Sequence, residues 1–165
     1  MDVVTFTTLI AACARGRRWQ LAVSFFGEMR AHGVAPNPRT FAVLLSACER
    51  SGQGQQALEV FAEMQGLGVA PNLRTYNALL HACAASGMRR EASAAFAAMQ
   101  AEGIAPDVRT YNALLRACRS RGEWEAALAL FSQLKVCSSR LSLSGSSPAI
   151  HVSCPPLACL ARYPV

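Results

Sequence analysis

The sequence predicts an all-α fold, an α-solenoid of stacked antiparallel helix pairs. Three observations lead there. Apolar and aromatic positions recur every 35 residues without a slip. Within each copy they fall at i, i+3, i+4, i+7, one stripe of a helix. Gly and Pro punctuate the copies at fixed offsets.

The four copies start at Val3, Pro38, Leu73 and Val108. The first carries Thr5, Phe6, Leu9 and Cys13, then a second stripe of Ala22, Phe26 and Met29 that stops near Gly33 and Pro36. In the second copy Asn37 reads as an N-cap with Pro38 at the first helical position. Its stripes are Thr40, Phe41, Leu44 and Cys48, then Ala57, Phe61 and Met64, with Gly52 turning the chain between them. Asn72 caps the third, whose first stripe is Tyr76, Leu79, Leu80 and Cys83; Gly87 marks the turn, and Ala92, Phe96 and Met99 run to Gly103 and Pro106. Asp107 caps the fourth, with Thr110, Tyr111, Leu114 and Cys118, then Gly122, Ala127, Phe131 and Leu134. No pair can bury both stripes alone, so the pairs must stack.

These copies define an array over 3–135, divided 3–37, 38–72, 73–107 and a partial 108–135. Beyond Lys135 the repeat is lost in a Ser- and Pro-rich stretch, and 136–165 reads as a low-complexity, disordered tail. The chain starts inside the repeated pattern, which reads as a piece of a longer array.

Of 165 residues, 52% are apolar, and 16 Lys and Arg against 10 Asp and Glu leave a net charge of +6, which suits a polyanionic partner. Four of the seven cysteines recur on equivalent helices. Packed helices lie about 8–10 Å apart, beyond disulfide reach, so these read as small buried hydrophobes of a reducing compartment. Cys154 and Cys159 read as exposed thiols of the tail. No metal-ligand spacing, catalytic constellation, cofactor motif or membrane span is visible, which sets aside an enzyme, a metal site, a small-molecule substrate and a membrane. His81 reads as polar surface on a first helix. Trp19 and Trp124 read as packing residues, and Arg17, Arg18, Arg89 and Arg90 as surface at inter-helix turns.

The 35-residue period, the "TYNALL" opening and the "GVAPN" or "GIAPD" ending resemble the plain type of pentatricopeptide repeat. That resemblance implies binding of single-stranded RNA, one base per repeat. It implies base selection by the fifth and last residues of each copy: Thr7 with Asn37, Ala42 with Asn72, Asn77 with Asp107, and Asn112. Asn77 with Asp107 resembles a uridine-selecting pair and Thr7 with Asn37 an adenosine-selecting one. Asn112 suggests a pyrimidine, and Ala42 offers no hydrogen bond at all.

At the second position the family usually has an aliphatic residue that sandwiches the base. Val4 keeps it; Arg39, Arg74 and Arg109 depart from it, with guanidinium planes able to stack on bases and reach phosphates. Arg15 and Arg50 are candidates for phosphate contact, and Arg116 and Arg119 add similar charge. The resemblance further implies a mitochondrial or chloroplast role in transcript processing, stability or translation, although no targeting peptide is visible in this chain. The alternative is a helical scaffold for protein partners. The three caps would serve their helices whether or not RNA binds.

Overall fold

The computed structural model describes residues 2–119. Seven helices follow one another: α1 Val3–Arg15, α2 Trp19–Ala31, α3 Pro38–Ser51, α4 Gly54–Gly66, α5 Leu73–Ala85, α6 Arg89–Ala101 and α7 Val108–Arg119. The expected second helix of the fourth copy, with Gly122, Trp124, Ala127, Phe131 and Leu134, lies outside the described residues. So does the tail with Cys154 and Cys159. No helix of the described residues is long and apolar enough to cross a membrane.

Helix ends follow from local chemistry. The Asn37 side chain accepts the Thr40 amide N–H, with Pro38 opening α3. Asn72 forms a reciprocal capping box with Thr75. At the other end of each pair the chain must turn through positive φ, which glycine adopts without Cβ strain: Gly33, Gly68 and Gly103 sit at 68°, 68° and 73°. This turn lets the following amide reach back, Val34 to Met29, Val69 to Met64 and Ile104 to Met99, at 3.0–3.1 Å. Arg17 stands where later copies have Gly52 and Gly87, and is forced to φ 56°. That conformation is uncommon for a non-glycine residue.

The odd helices α1, α3, α5 and α7 form one row, each packed on the next. Each even helix packs between two odd ones, α2 between α1 and α3, α4 between α3 and α5, and α6 between α5 and α7. Among the described residues no two even helices pack on each other, and a single ion pair, Arg30 with Glu63, spans α2 to α4. The closer row lies inside the curve. The odd helices therefore present a concave face to solvent.

The aromatic positions make the joints. Phe26 meets Phe41, Phe61 meets Tyr76 and Phe96 meets Tyr111, with ring centroids 5.4, 5.1 and 6.0 Å apart in tilted or edge-on pairs. Each joins an even helix to the odd helix that follows. Around them Leu44, Leu79 and Leu114, and Cys48, Cys83 and Cys118, are buried. Trp19 is half-buried against this core, as a packing residue should be.

A small residue is required where copies meet at the turns. The Ser86 hydroxyl accepts the Gly54 amide N–H and donates to the Gly52 carbonyl, both at 2.7 Å. A Cβ on Gly54 would fall 2.7 Å from Ser86 Oγ and 2.9 Å from its Cβ. Gly54→Ala gains helix propensity of about 1 kcal/mol but must displace Ser86 and break both bonds, at a cost of about 1–3 kcal/mol. A net loss of stability is expected, read as a lower denaturant midpoint. Burial pushes the Cys48 and Cys83 thiols up to about 11, with Glu59 and Glu91 respectively adding to the effect. In alkylation at mild alkaline pH with peptide mapping, both should stay unmodified until denaturant is added.

Candidate nucleic-acid interface

Position within the first turn of each odd helix decides which side chains reach the concave face. The second residue of each turn points outward: Val4 is 75% exposed, and Arg39, Arg74 and Arg109 are exposed one above another along the row. None of these three arginines forms an ion pair among the described residues. Toward the C-terminal ends of their helices, Arg15 and Arg50 are exposed on the same face. Arg50 lies eleven positions on from Arg39 in the same helix, which places the two rows of positive charge roughly 16 Å apart along the axis.

Between these rows lies an open groove of about 450 Å³. Its floor comes from small and apolar residues, Thr7, Thr8, Ala11, Val43 and Ser46 among them, and its rim from Arg15, Arg39, Arg50 and Arg74. Val4 and Asn37 also line it, and no acidic residue does. The groove thus brings together Val4, Thr7, Asn37, Arg15, Arg39, Arg50 and Arg74. Arg109 and Asn112 lie further along, exposed on α7. The side chain of Arg119 lies outside the described residues.

Three of the four fifth residues are buried rather than open. Thr7, Ala42 and Asn77 are 8%, 2% and 4% exposed, whereas their partners Asn37 and Asn72 are exposed and Asp107 half-buried. Asn77 and Asp107 meet directly, the amide Nδ2 donating to the carboxylate Oδ1 at 3.0 Å. Thr110 completes the group. Its backbone N–H donates to Asp107 Oδ1 at 2.8 Å, its hydroxyl lies 2.6 Å from Asn77 Oδ1, and it accepts the Asp107 backbone N–H at 3.1 Å. The hydroxyl also lies 2.9 Å from Asp107 Oδ1. It has one proton. Asp107 Oδ1 already receives two N–H donors, so the shorter approach to Asn77 takes that proton.

The two earlier junctions are built differently. The Thr7 hydroxyl donates to the Val3 carbonyl at 2.7 Å and lies 3.1 Å from the Thr40 hydroxyl, which reaches Asn37 Oδ1 at 3.1 Å. At the next junction Ala42 has nothing to offer, and the Thr75 hydroxyl turns to the Asn72 carbonyl at 2.8 Å. Asn72 Oδ1 is taken up by the Arg74 and Thr75 amides.

The role of these threonines escapes sequence reasoning, which registers only their period. Thr40, Thr75 and Thr110 are fully buried, while Thr5, with no described helix before it, is exposed. The signal was available: a polar residue kept in register inside an apolar stripe needs a buried partner. His81 corrects the expectation of a surface residue. It is half-buried, and both ring nitrogens are out of solvent. Its place in the odd row puts it against neighbouring helices, and that burial pushes its pKa below the usual value, a shift opposed by Glu49 and reinforced by Arg109 and Arg116.

Burial alone would raise the Asp107 pKa, but hydrogen bonds from Thr110 and Asn77, with the Arg109 amide, outweigh it and hold the carboxyl below its ordinary 3.8. A lowered folded-state pKa stabilises the fold above the unfolded value, and that contribution is lost as pH falls through the folded value. Asp107→Asn cannot titrate. The stability difference between wild type and Asp107→Asn should therefore stay constant from neutrality down to about 3.8, then change as the wild-type carboxyl is protonated, in denaturation curves over a pH series.

Among known proteins, a pentatricopeptide repeat domain model matches residues 39–85 and 59–121, a PPR repeat family model matches 1–50, and a PPR repeat model matches 109–138. No curated protein matches the chain. The crystal structure of the pentatricopeptide repeat protein PPR10 in complex with an 18-nt psaJ RNA element is 34% identical, with a TM-score of 0.74. The match covers 82% of this chain and 20% of that one, so the chain spans about one fifth of PPR10's length. The PPR domain of Arabidopsis thaliana protein-only RNase P 1, in complex with tRNA, aligns at 18% identity and a TM-score of 0.70 over 90% of this chain and 77% of that one. Nuclear proteinaceous RNase P 2 from A. thaliana aligns at 18% and 0.70, over 82% and 31%. At such identity the last two bear on the fold alone. With family models matching along the described array and a shared stack of helix pairs, the chain belongs to the pentatricopeptide repeat family.

Proposed function

We propose that this chain binds single-stranded RNA along its concave face, one base per repeat. The observation that carries the proposal is the groove itself: the fifth-position Thr7 with its partner Asn37 in its lining, four arginines on its rim and no carboxylate among its lining residues. RNA bound to PPR10, a relative at 34% identity, supports it. In this reading Arg39, Arg74 and Arg109 stack on successive bases or meet their phosphates, Val4 packs on the first base, and Arg15 and Arg50 hold the backbone. A basic groove favours this over a groove for protein segments, which would expose large apolar residues instead.

Hydrogen-bond arithmetic supports the letter assigned to Asn77 with Asp107. Thr110 occupies the Asn77 carbonyl, and the Asn77 amide and the Thr110 backbone N–H both end on Asp107 Oδ1. What is left toward a base is a donor, the second Asn77 amide hydrogen, and an acceptor, Asp107 Oδ2. Uracil presents the complement, an acceptor at O4 and a donor at N3. Cytosine presents the two in swapped order. Thr7 with Asn37 reads as selecting adenosine, Asn112 a pyrimidine, and Ala42 with Asn72 no particular base.

The organellar role in RNA processing, stability or translation extends the proposal on family resemblance. A nuclear protein shares the fold, so cell fractionation, not architecture, decides the compartment.

About four bases at 1–3 kcal/mol each, set against the cost of immobilising them, give an expected dissociation constant in the micromolar range. Fluorescence anisotropy of the full chain with short RNAs that differ only at the base facing Asn77 should rank U first. With about four phosphates neutralised, log affinity should fall against log salt with a slope of about −3. Salt-dependent binding without base preference would leave the arginines and remove the code; absence of binding by folded protein would overturn the function.

A further inference from the structure

Thr110 is a buried polar group at the Asn77–Asp107 junction that base selection by fifth and last residues does not use. It is fully buried, yet its hydroxyl lies 2.6 Å from the selector Asn77 and it accepts the Asp107 backbone N–H. We propose that Thr110 is a positioning residue for base selection: its hydroxyl holds the Asn77 carbonyl inward, so that the amide offers the groove only N–H. The inference rests on the reading of Asn77 with Asp107 as a base-selecting pair.

The physical reason is the cost of an unpaired carbonyl. Asn77 is 4% exposed, and a buried amide oxygen without a donor is unfavourable. While Thr110 supplies that donor, the carbonyl stays inside and Nδ2 faces Asp107. Without the hydroxyl, the nearest remaining donors are water or a bound base in the groove, and the amide rotates to meet them. A carbonyl turned to the groove accepts the exocyclic amino hydrogens of cytosine, which the inward arrangement refuses. Discrimination between uridine and cytosine therefore depends on a residue that touches neither base.

The chain contains its own control. Thr75 holds the equivalent position and is equally buried, but faces Ala42, and its hydroxyl bonds the Asn72 carbonyl instead. Removing that hydroxyl costs stability without altering any fifth-position side chain. A merely structural threonine would behave the same way at both places.

The test is the ratio of affinities of the full chain for two short RNAs, carrying U or C opposite Asn77, measured by anisotropy for wild type, Thr110→Val, Thr110→Ser and Thr75→Val. Thr110→Val should lower the U-over-C ratio about fivefold, the effect of one net hydrogen bond. Thr110→Ser should restore it, and Thr75→Val should leave it at the wild-type value. Should the valine variant not fold by circular dichroism, Thr110→Ala removes the same hydroxyl without added volume and carries the same expectation. An unchanged ratio in the folded variant lacking the hydroxyl overturns the inference while wild-type preference for U keeps the base-selecting pair. Absence of that preference in wild type overturns the pair, and this inference with it.

Discussion

Close packing of the odd helices on one another is the constraint on which the rest depends. Each has apolar surface that must leave water, and the neighbouring odd helices and the flanking even helices cover it. Because the even helices do not close on each other, the array curves and the first turns of α1, α3, α5 and α7 face the inside of the bend. The candidate interface is a consequence of that curvature. A residue's place in its 35-residue copy then decides whether it builds the array or looks into the groove.

The buried threonines sit where these two roles meet. Thr40, Thr75 and Thr110 lie inside an apolar seam, where an unpaired hydroxyl would be costly, so each finds a partner at the junction. The partner available depends on the fifth residue of the preceding copy: a hydroxyl at Thr7, nothing at Ala42, an amide at Asn77. The same architectural residue thus makes three different polar junctions. Packing and selectivity share atoms at this point, which ties groove chemistry to the stability of the stack.

Charge is arranged more simply. The arginines on the inner face carry no ion pairs among the described residues, and the one ion pair there, Arg30 with Glu63, stays on the outer helices. Exposed pairs of that kind contribute little to stability. Unpaired cations facing a groove contribute nothing to folding either, and they remain available to an anionic ligand. His81 is the exception in this row, an imidazole whose nitrogens are taken out of water by neighbouring helices.

Much of the molecule was legible in the sequence because helical periodicity, capping and glycine turns are local rules. The period of 35, the stripes ending at Cys48 and Cys83, the caps at Asn37 and Asn72, and the turns at Gly52, Gly87 and Gly103 all appear where spacing and side-chain chemistry put them. The exposed row of Arg39, Arg74 and Arg109 follows from the same register. Tertiary structure alone decided what crosses between copies: the curvature, the burial of Thr7 and Asn77, the hydroxyl of Thr110 on Asn77, the Ser86 bridge against Gly54, and the concealment of the His81 nitrogens. Each of these depends on residues about one repeat apart in sequence and in contact in space. A pattern can mark such positions as periodic, but the partner of a buried polar atom is known only once two helices have been brought together.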